Sequence, residues 1–340
     1  MQPLVSILVP VYKVESYIGK CCQTLFGQDY DNIEYIFVND ASPDNSVQII
    51  NSVLENFPSR KSQVRIVSHN ENRGLSAARN TAVKYASGDY LLHVDSDDFL
   101  ELDAVRLLLA QACETNADIV VFNMRHIYKN TSYDEQQVIS TEKFEYLTQL
   151  ITYKTSVCVC GKLYKTYLFK NFGVHFVEGL NFGEDYVVTP RIVYYANNIV
   201  YCNKCLYNYV HYNEHSYTVS YKPQNINDLV RALELLSSFF QKKYGSDFDL
   251  SLAHARLQSK VKMLIAICLN RKTMWAYLPS VQSLYVDEKV NIRPKAYSII
   301  LYLSNKKMNT IMYYYITLAF KIKQLFKKCK RLQKMYYSNV

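Results

Sequence analysis

Short, continuous runs of apolar residues recur along the first part of the chain, and segments with helical periodicity separate them. Each run is four to six residues long and rich in β-branched or aromatic residues, which is typical of strands buried on both faces. The predicted strands are Val5–Pro10, Ile33–Val38, Val64–Val67, Tyr90–Val94 and Asp118–Phe122. The helices between them are predicted from Tyr17 to Gln28, from a cap at Ser42 or Asp44 to Glu55, from Leu75 to Ala86 and from Ala104 to Thr115. This alternation predicts an α/β fold with a mostly parallel, Rossmann-like sheet and helices on both faces.

The pattern is less regular after Arg125 and becomes mainly helical from about Asn225. Three elements are predicted between these points: helices at Glu142–Thr152 and Glu184–Ala196, and a strand at Ile199–Tyr212. We therefore predict an α/β domain over residues 1–220 and a helical C-terminal region over residues 221–340. A length of 340 residues is sufficient for both parts.

Polar residues follow three of the predicted strands at the point where each strand ends. Asn39–Asp40 follows the second strand, Asn123 follows the last, and Asp95–Asp98 places three carboxylates within four positions. In parallel sheets, ligands bind beyond the carboxyl ends of the strands. Bunched carboxylates repel one another unless a cation neutralises them, and their hard oxygen atoms suit Mn²⁺ or Mg²⁺. Asp95–Asp98 is therefore either a metal site that holds a phosphate or a solvated acidic turn.

Two further residues near this edge have both a functional and a structural interpretation. Asp40 either accepts a hydrogen bond from a base or a sugar hydroxyl or caps a helix. Arg79 lies one turn into a helix, where it either faces a diphosphate or a carboxylate of the site or is an ordinary surface arginine. The sequence contains neither a GxxxxGK[ST] phosphate loop nor a GxGxxG fingerprint, so a bound phosphate would depend on the metal.

Charge and composition narrow the class of protein. With 49% hydrophobic and 20% charged residues the chain is globular, and its 31 tyrosines suit carbohydrate surfaces or membrane interfaces. The net charge of +9 arises in the tail, because residues 289–340 contain twelve Lys or Arg and no Asp or Glu. The preceding part is slightly acidic, so no nucleic-acid partner is predicted.

Cysteine usage and the first residues predict a cytoplasmic location. The nine cysteines form no disulfide framework, and Cys202 and Cys205 have no second pair at zinc-site spacing. Met1–Pro3 leads directly into the first strand, so no targeting segment is predicted. No apolar run is long enough to predict a membrane-spanning helix.

Four segments, in this order and spacing, resemble the successive signatures of family 2 glycosyltransferases. They are Val5–Tyr12, Val38–Asp44, Gly74–Asn80 and Gly88–Asp98. The resemblance is close over residues 3–125 and becomes weaker from there to about residue 215. Because members of this family are inverting enzymes with the GT-A fold, it implies a nucleotide-sugar donor, usually UDP-linked, and a Mn²⁺ or Mg²⁺ cofactor. Residues 3–125 would form the donor-binding half of the domain, and residues 126–220 the half that binds the acceptor and provides the base.

The resemblance also implies roles for individual residues of the donor site. Asp97 and Asp95 match the metal-binding pair of the family, with Asp97 the direct ligand and Asp95 nearer the ribose. The implied donor-binding residues are Pro10, Val11 and Tyr12 beside the nucleobase, Glu15 at the ribose or base, Asp40 at the base, Arg79 near the diphosphate, and Asp95 and Ser96.

A later carboxylate pair, Glu184 and Asp185, resembles the general-base motif of the family. We assign the base role to Asp185, with Glu184 as the alternate, because a sugar hydroxyl is a poor nucleophile until a base removes its proton. The alternative is an acidic pair that simply favours a helix N-terminus. His211 stands where relatives often have an arginine, which implies a weaker, pH-dependent contact with the diphosphate.

The basic tail, residues 305–340, predicts a contact with the inner face of the cytoplasmic membrane. Its lysines flank an apolar, tyrosine-rich segment, Met308–Phe320, that is too short and polar to span a bilayer. Such a segment suits a helix lying in an anionic interface. On the alternative interpretation, the tail is a helical cap with a solvated basic face.

Together these features predict an inverting, metal-dependent glycosyltransferase that extends a glycan or lipid-linked acceptor in capsule or exopolysaccharide biosynthesis. Two alternatives share the same layout. A GT-A domain that binds nucleotide or sugar without catalysis is disfavoured, because the chain has both metal aspartates and the later acidic pair. A nucleotidyltransferase would carry a glycine- and arginine-rich amino-terminal loop, which Val11–Glu15 is not.

Overall fold

The first four strands pair in parallel, as their continuous apolar runs predict. The computed structural model describes residues 2–140, 142–213 and 222–337, with side chains described as far as residue 323. The strands β1 (Val5–Val11), β2 (Ile33–Asn39), β3 (Val64–Ser68) and β4 (Tyr90–His93) lie in the order β3-β2-β1-β4. Every residue of β1 is buried, which is the reason that its sequence does not alternate between apolar and polar residues.

Helices connect these strands at nearly the predicted positions. They are α1 (Ile18–Phe26), α2 (Ser46–Leu54), α3 (Leu75–Tyr85) and α4 (Ala104–Thr115). Helix α3 begins immediately after Gly74, whose positive φ of 87° is a backbone conformation that favours glycine. The turn at Gly74 therefore directs α3 along the sheet, with Arg79 on its buried side.

The second half of the sheet is mixed. It contains β5 (Phe99–Leu100), β6 (Ile119–Tyr128), β7 (Thr131–Glu135), β8 (Lys162–Lys165) and β9 (Ile199–Val210). Strand β8 runs antiparallel to both β4 and β6, whereas β9 is parallel to β6 and antiparallel to β5. Because two reversals restore the direction, β6 and β9 end at the same edge of the sheet as β1, β2 and β4.

Strand β6 extends well past the end of β4 and forms a hairpin with β7. Leu163 of β8 pairs with both Leu92 and Val120, so these two residues lie level in the sheet. Strand β4 ends one residue after Leu92, whereas β6 continues to Tyr128 before the chain turns into β7. With a rise of about 3.3 Å per residue, the hairpin projects well beyond the point where β4 stops.

The helices α5 (Lys143–Ile151), α6 (Tyr167–Lys170) and α7 (Glu184–Tyr195) follow β7 within the same unit of the chain, which also includes most of α8 (Pro223–Tyr244). This compact unit comprises Met1–Ser220 and Val230–Lys243. A second unit, Tyr221–Leu229 and Tyr244–Val340, is helical throughout its described part. The predicted division at residue 220 and the assignment of donor and acceptor halves remain predictions.

The C-terminal helices are α8 (Pro223–Tyr244), α9 (Asp249–Leu269), α10 (Arg271–Met274), α11 (Leu278–Ser283), α12 (Lys295–Asn305) and α13 (Asn309–Tyr337). Buried Lys260 of α9 connects this helix to the segment after it, because its Nζ donates to the carbonyl oxygens of Gln282 and Leu284 at 2.9 and 2.7 Å.

Among the described residues, none of the helices has the length and apolar character required to cross a membrane. The eight cysteines whose side chains are described are free.

Candidate active site

The acidic segment after β4 alternates between exposed and buried side chains. Asp95 and Asp97 are partly exposed, whereas Ser96 and Asp98 point inward and are buried. The hydroxyl of Tyr207 and the backbone N–H of Val210 each donate to a carboxylate oxygen of Asp98 at 2.7 Å. Asp98 therefore holds the acidic segment against β9 and leaves Asp95 and Asp97 as the accessible carboxylates.

The two accessible carboxylates have the chemistry that a hard divalent cation requires. Burial and the neighbouring charge of Asp95 raise the pKa of Asp97. A bound cation would lower this pKa again, because its positive charge stabilises the carboxylate. The Nδ2 group of Asn213 donates to Asp97 Oδ2 at 2.7 Å and orients the carboxylate. Within the described part of the chain, no cluster of three or more His, Cys, Asp or Glu is positioned to hold a metal. A cation on Asp95 and Asp97 therefore fits if phosphate and water oxygens complete its shell.

Arg79 connects this segment to the start of α7. Its Nη2 donates to Asp95 Oδ1 at 2.9 Å, and its Nη1 donates to Glu184 Oε1 at 3.0 Å and to Asp185 Oδ1 at 2.8 Å. The side chain is only 2% exposed and lies over the ring of Phe176. Burial acts to lower the pKa of Arg79, but the three carboxylates raise it well above its ordinary value. One buried cation thus joins the predicted metal site to the predicted base.

This geometry supports one of the two interpretations of Arg79. The guanidinium faces carboxylates of the site, which rules out an ordinary surface arginine. Its predicted contact with a diphosphate remains a prediction.

Glu184 and Asp185 form the first turn of α7, which begins after Gly183 in a left-handed conformation. Asp185 also accepts a hydrogen bond from the backbone N–H of Val159, at 3.3 Å from Oδ2. Burial and the charge of Asp185 raise the pKa of Glu184 to about 8, although the nearby Arg79 guanidinium opposes this shift. Burial also raises the pKa of Asp185, against the opposing effect of Arg79. Asp185 is the better candidate for the base, because its partners stabilise the carboxylate form.

Asp40 is not the N-cap of either neighbouring helix, α2 or α3, and its side chain instead holds the loop before α3. Its carboxylate accepts hydrogen bonds from the backbone N–H groups of Arg73 and Gly74 at 2.8 and 2.7 Å, and His69 Nδ1 lies 2.6 Å away. Asp40 thereby fixes the loop that leads into α3 and positions Arg79. The side chain is almost fully buried, and its predicted contact with a nucleobase remains a prediction.

Comparison with known proteins places the chain in a family. Residues 6–172 match the model named Glycosyl transferase family 2. The chain is 32% identical to the uncharacterized glycosyltransferase EpsJ of Bacillus subtilis over 258 residues, which cover 72% of each protein. The chain belongs to glycosyltransferase family 2. It is therefore a glycosyltransferase, and the nucleotidyltransferase alternative is wrong.

Other relatives of this family 2 glycosyltransferase agree with the assignment. The chain is 35% identical to glycosyltransferase GlyA of Streptococcus pneumoniae over 60% of its own length, although the match spans only 30% of GlyA. Its fold resembles that of TarS 1–349 of Staphylococcus aureus in complex with UDP-GlcNAc. The TM-score is 0.60, with 18% identity and coverage of 94% and 92% of the two chains. This likeness confirms the GT-A fold with a helical C-terminal region.

The remaining residues that were predicted to bind the donor lie around the end of β1. Pro10 and Val11 are buried in β1, and Tyr12 is partly exposed just beyond it. Glu15 accepts hydrogen bonds from the backbone and side-chain N–H groups of Asn45 at 3.0 and 3.1 Å, so it steadies the loop before α2. The donor contacts of these residues, and of buried Ser96, remain predictions.

His211 is paired within this glycosyltransferase. Its Nε2 lies 2.6 Å from Nδ1 of His126, and the ring of Tyr128 stacks on it at 4.3 Å. Its predicted contact with the diphosphate remains a prediction.

Sequence reasoning missed several residues that support the site. Asn213 and Tyr207, which contact the aspartates, belong to an apolar and tyrosine-rich stretch that signals only a strand. Lys162 also supports the site, and no sequence motif predicts this role. Its buried Nζ donates to the carbonyl oxygens of Ser156 and Cys158 at 3.1 and 2.8 Å, and so holds the loop that contacts Asp185. A lysine between buried residues was the only available signal for this role.

Proposed function

We propose that this glycosyltransferase transfers a sugar, with inversion, from a UDP-linked donor to a hydroxyl of a glycan or lipid-linked acceptor. The observation that carries the proposal is the contact of Arg79 with Asp95 on one side and with Asp185 on the other. Because both carboxylates contact one guanidinium, this arrangement supports a shared site for the proposed metal ligand and the proposed base. TarS supports the choice of UDP, because it has been solved with UDP-GlcNAc on the same fold.

The proposed acceptor belongs to a bacterial surface polysaccharide. TarS, which is 26% identical over 70% of this chain, is named a poly(ribitol-phosphate) β-N-acetylglucosaminyltransferase, so its acceptor is a polymer. Related proteins of the same family therefore support a polymeric acceptor here.

In the proposed reaction, Asp185 accepts the proton of the acceptor hydroxyl as the hydroxyl oxygen bonds to the anomeric carbon. The bond from that carbon to the diphosphate breaks on the opposite face, and the electron pair leaves with UDP. A divalent cation on Asp97 and Asp95, Mn²⁺ or Mg²⁺, would offset the charge on the departing diphosphate. Arg79 holds Asp185 and Asp95 at a fixed separation, which keeps the base aligned with the donor.

Thermal shift measurements with UDP-, GDP- and dTDP-sugars test this proposal. We expect UDP-sugars to stabilise the protein only when Mn²⁺ or Mg²⁺ is present, by about 2.7 kcal/mol at a hundredfold excess over Kd. Asp97→Ala should abolish this shift because it removes the metal ligand. The matched control is Asp103→Ala, an aspartate before α4 whose side chain is 45% exposed. A shift that is independent of metal, or that Asp97→Ala preserves, would contradict the proposed metal site.

We further propose that the tail binds an anionic membrane surface. Ile311, Tyr314 and Leu318 are each more than half exposed on one side of α13, while Met312 and Ile316 are buried. The flanking lysines that the structure describes, Lys306, Lys307, Lys321 and Lys323, are exposed beside this apolar stripe. Residues 338–340 lie outside the described residues, as do the side chains from residue 324 onward. An exposed apolar stripe with basic neighbours matches an interfacial helix.

Sedimentation with vesicles of phosphatidylglycerol tests the membrane proposal. We expect Leu318→Glu combined with Ile311→Glu to weaken binding at least tenfold, because two charges enter the apolar stripe. Binding should also weaken as salt is added. Leu250→Glu is the control, since Leu250 is 70% exposed on α9 of the same unit. Equal binding by both variants would show that α13 is not the contact surface.

A further inference from the structure

Four rings cluster where the β6–β7 hairpin meets the end of β9. We define this tyrosine–histidine cluster as Tyr128, Tyr133, His126 and His211. Tyr128 stacks on His211 with ring centroids 4.3 Å apart and planes within 3°, and Tyr133 stacks on His126 at 4.7 Å and 7°. The two tyrosines lie beside each other at 6.1 Å, and the histidines are joined by the 2.6 Å contact. The rings are therefore held in nearly parallel planes.

The cluster is a surface feature rather than part of the core. Tyr133 is 53% exposed and Tyr128 is 36% exposed, although each ring already has a stacking partner. Glu135 accepts a hydrogen bond on Oε2 from the Nε2 edge of His126, 2.8 Å away, which fixes the imidazole under Tyr133. Exposed aromatic rings that are fixed in orientation lose little conformational entropy when a ligand binds to them.

The cluster adjoins the proposed reaction site through β9. Val210, next to His211, donates its backbone N–H to Asp98, and Asn213, two residues beyond His211, donates to Asp97. The hairpin projects beyond the end of β4, at the same edge of the sheet as Asp95 and Asp97. A chain of sugars that places one hydroxyl at the site could therefore extend onto the hairpin.

We propose that Tyr128 and Tyr133 form a stacking platform for sugar rings of the acceptor glycan. This inference rests on the proposed function and specifies how its acceptor is held. A pyranose ring has an apolar C–H face that packs on an aromatic ring, and hydroxyls at its rim that pair with polar groups. The tyrosine hydroxyls and the partly exposed Glu135 carboxylate supply such polar groups at the edge of the platform.

The charges of the hairpin favour a neutral glycan over a polyanion. Arg125 forms a bidentate pair with Asp134, at 2.7 and 3.3 Å, and also approaches Glu101. Lys129 at the turn is balanced by Glu135, so the hairpin carries equal numbers of basic and acidic side chains. A polyanionic partner would require a surplus of basic groups that these side chains do not provide.

Saturation-transfer NMR on the full chain tests the platform. The probes are octyl glycosides of neutral and N-acetylated hexoses and their disaccharides, at millimolar concentration. We expect the wild type to bind disaccharides, and Tyr133→Ala combined with Tyr128→Ala to bind them about tenfold more weakly, as expected for the loss of two stacking contacts. Tyr133→Trp should restore part of the affinity of Tyr133→Ala, because it restores an aromatic face.

UDP binding with Mn²⁺, measured by calorimetry, separates the platform from the donor site. We expect the tyrosine variants to bind UDP as the wild type does and to retain its melting temperature within a few degrees. Tyr85→Ala is the matched control, because Tyr85 is an exposed tyrosine at the far end of α3. Tyr85→Ala should bind both UDP and disaccharides normally.

Three results would overturn the platform. The first is that no probe binds the wild type, and the second is that binding survives both alanine substitutions. The third is a concentration-dependent dimer, seen by light scattering, that Tyr133→Ala dissociates, because the rings would then bind a second copy of the chain. If the wild type does not bind UDP, the proposed function is refuted. The disaccharide measurement still shows whether the tyrosines bind sugars.

Discussion

Replacing Asp185 with Asn removes sugar transfer and leaves UDP binding intact. Asparagine keeps the shape of the side chain and one oxygen that accepts from either Arg79 or the Val159 N–H, but it cannot accept the proton of the acceptor hydroxyl. We expect kcat to fall by about 10²–10⁴-fold, the usual contribution of a general base. Steady-state transfer rates and calorimetric titration with UDP and Mn²⁺ measure the two effects separately.

Two further variants make the result for Asp185 specific. Glu184→Gln should reduce transfer far less, because burial and the charge of Asp185 raise the pKa of Glu184 and so favour the protonated form, which cannot accept a proton. Asp249→Asn is the matched control, since Asp249 also lies in the first turn of a helix, α9. Transfer by Asp185→Asn within a few-fold of the wild-type rate would remove Asp185 from the base role.

Replacing Arg79 with Met destabilises the folded protein more than any surface substitution would. The variant removes the cation that Asp95, Glu184 and Asp185 share. The three acidic side chains then remain close together without a positive charge between them. Removal of one partner from a buried ion pair costs about 3–5 kcal/mol, and we expect about 3 kcal/mol here because Asp95 is partly exposed. Urea unfolding of the two proteins measures this difference in the free energy of unfolding.

The control for Arg79 is an arginine that pairs on the surface. Arg106 contacts Asp29 and Asp103 with half of its side chain exposed, so Arg106→Met should change stability by less than about 1 kcal/mol. Arg79→Lys should not rescue the protein, because one ammonium group cannot reproduce two nitrogens that face three carboxylates. If Arg79→Met unfolds at the same urea concentration as the wild type, Arg79 does not hold the site together.

The strands and helices of residues 3–125 were predicted well because their signals are local. A continuous apolar run such as that of β1 reports burial on both faces without reference to any other part of the chain. The hairpin strand β7 was missed because its own sequence carries no such local signal. Its sequence, Thr131–Glu135, is polar and mostly exposed, so only its pairing with β6 makes it a strand. The tyrosine–histidine cluster depends on that hairpin and could not be predicted.

For the site residues too, the sequence predicted some properties and the tertiary structure decided others. The acidic segment Asp95–Asp98 was identified from its own residues and from their position after a strand. Which of its members are accessible depends on β9, because Tyr207 and Val210 hold Asp98 inside. For Asp40, the sequence allowed a base contact or a helix cap, and in the structure its carboxylate instead accepts hydrogen bonds from the backbone N–H groups of the loop before α3.

The sequence by itself determined the family, the GT-A fold and the strand end at which the acidic segment Asp95–Asp98 lies, because these depend on short patterns read in order. The tertiary structure alone decided that Arg79 lies between Asp95 and Asp185. Arg79 and Asp185 are separated by 106 positions along the chain, yet Nη1 lies 2.8 Å from Oδ1. No local periodicity encodes such a distance. It arises because the sheet places α3, the end of β4 and the start of α7 at one edge, where three carboxylates share one buried cation.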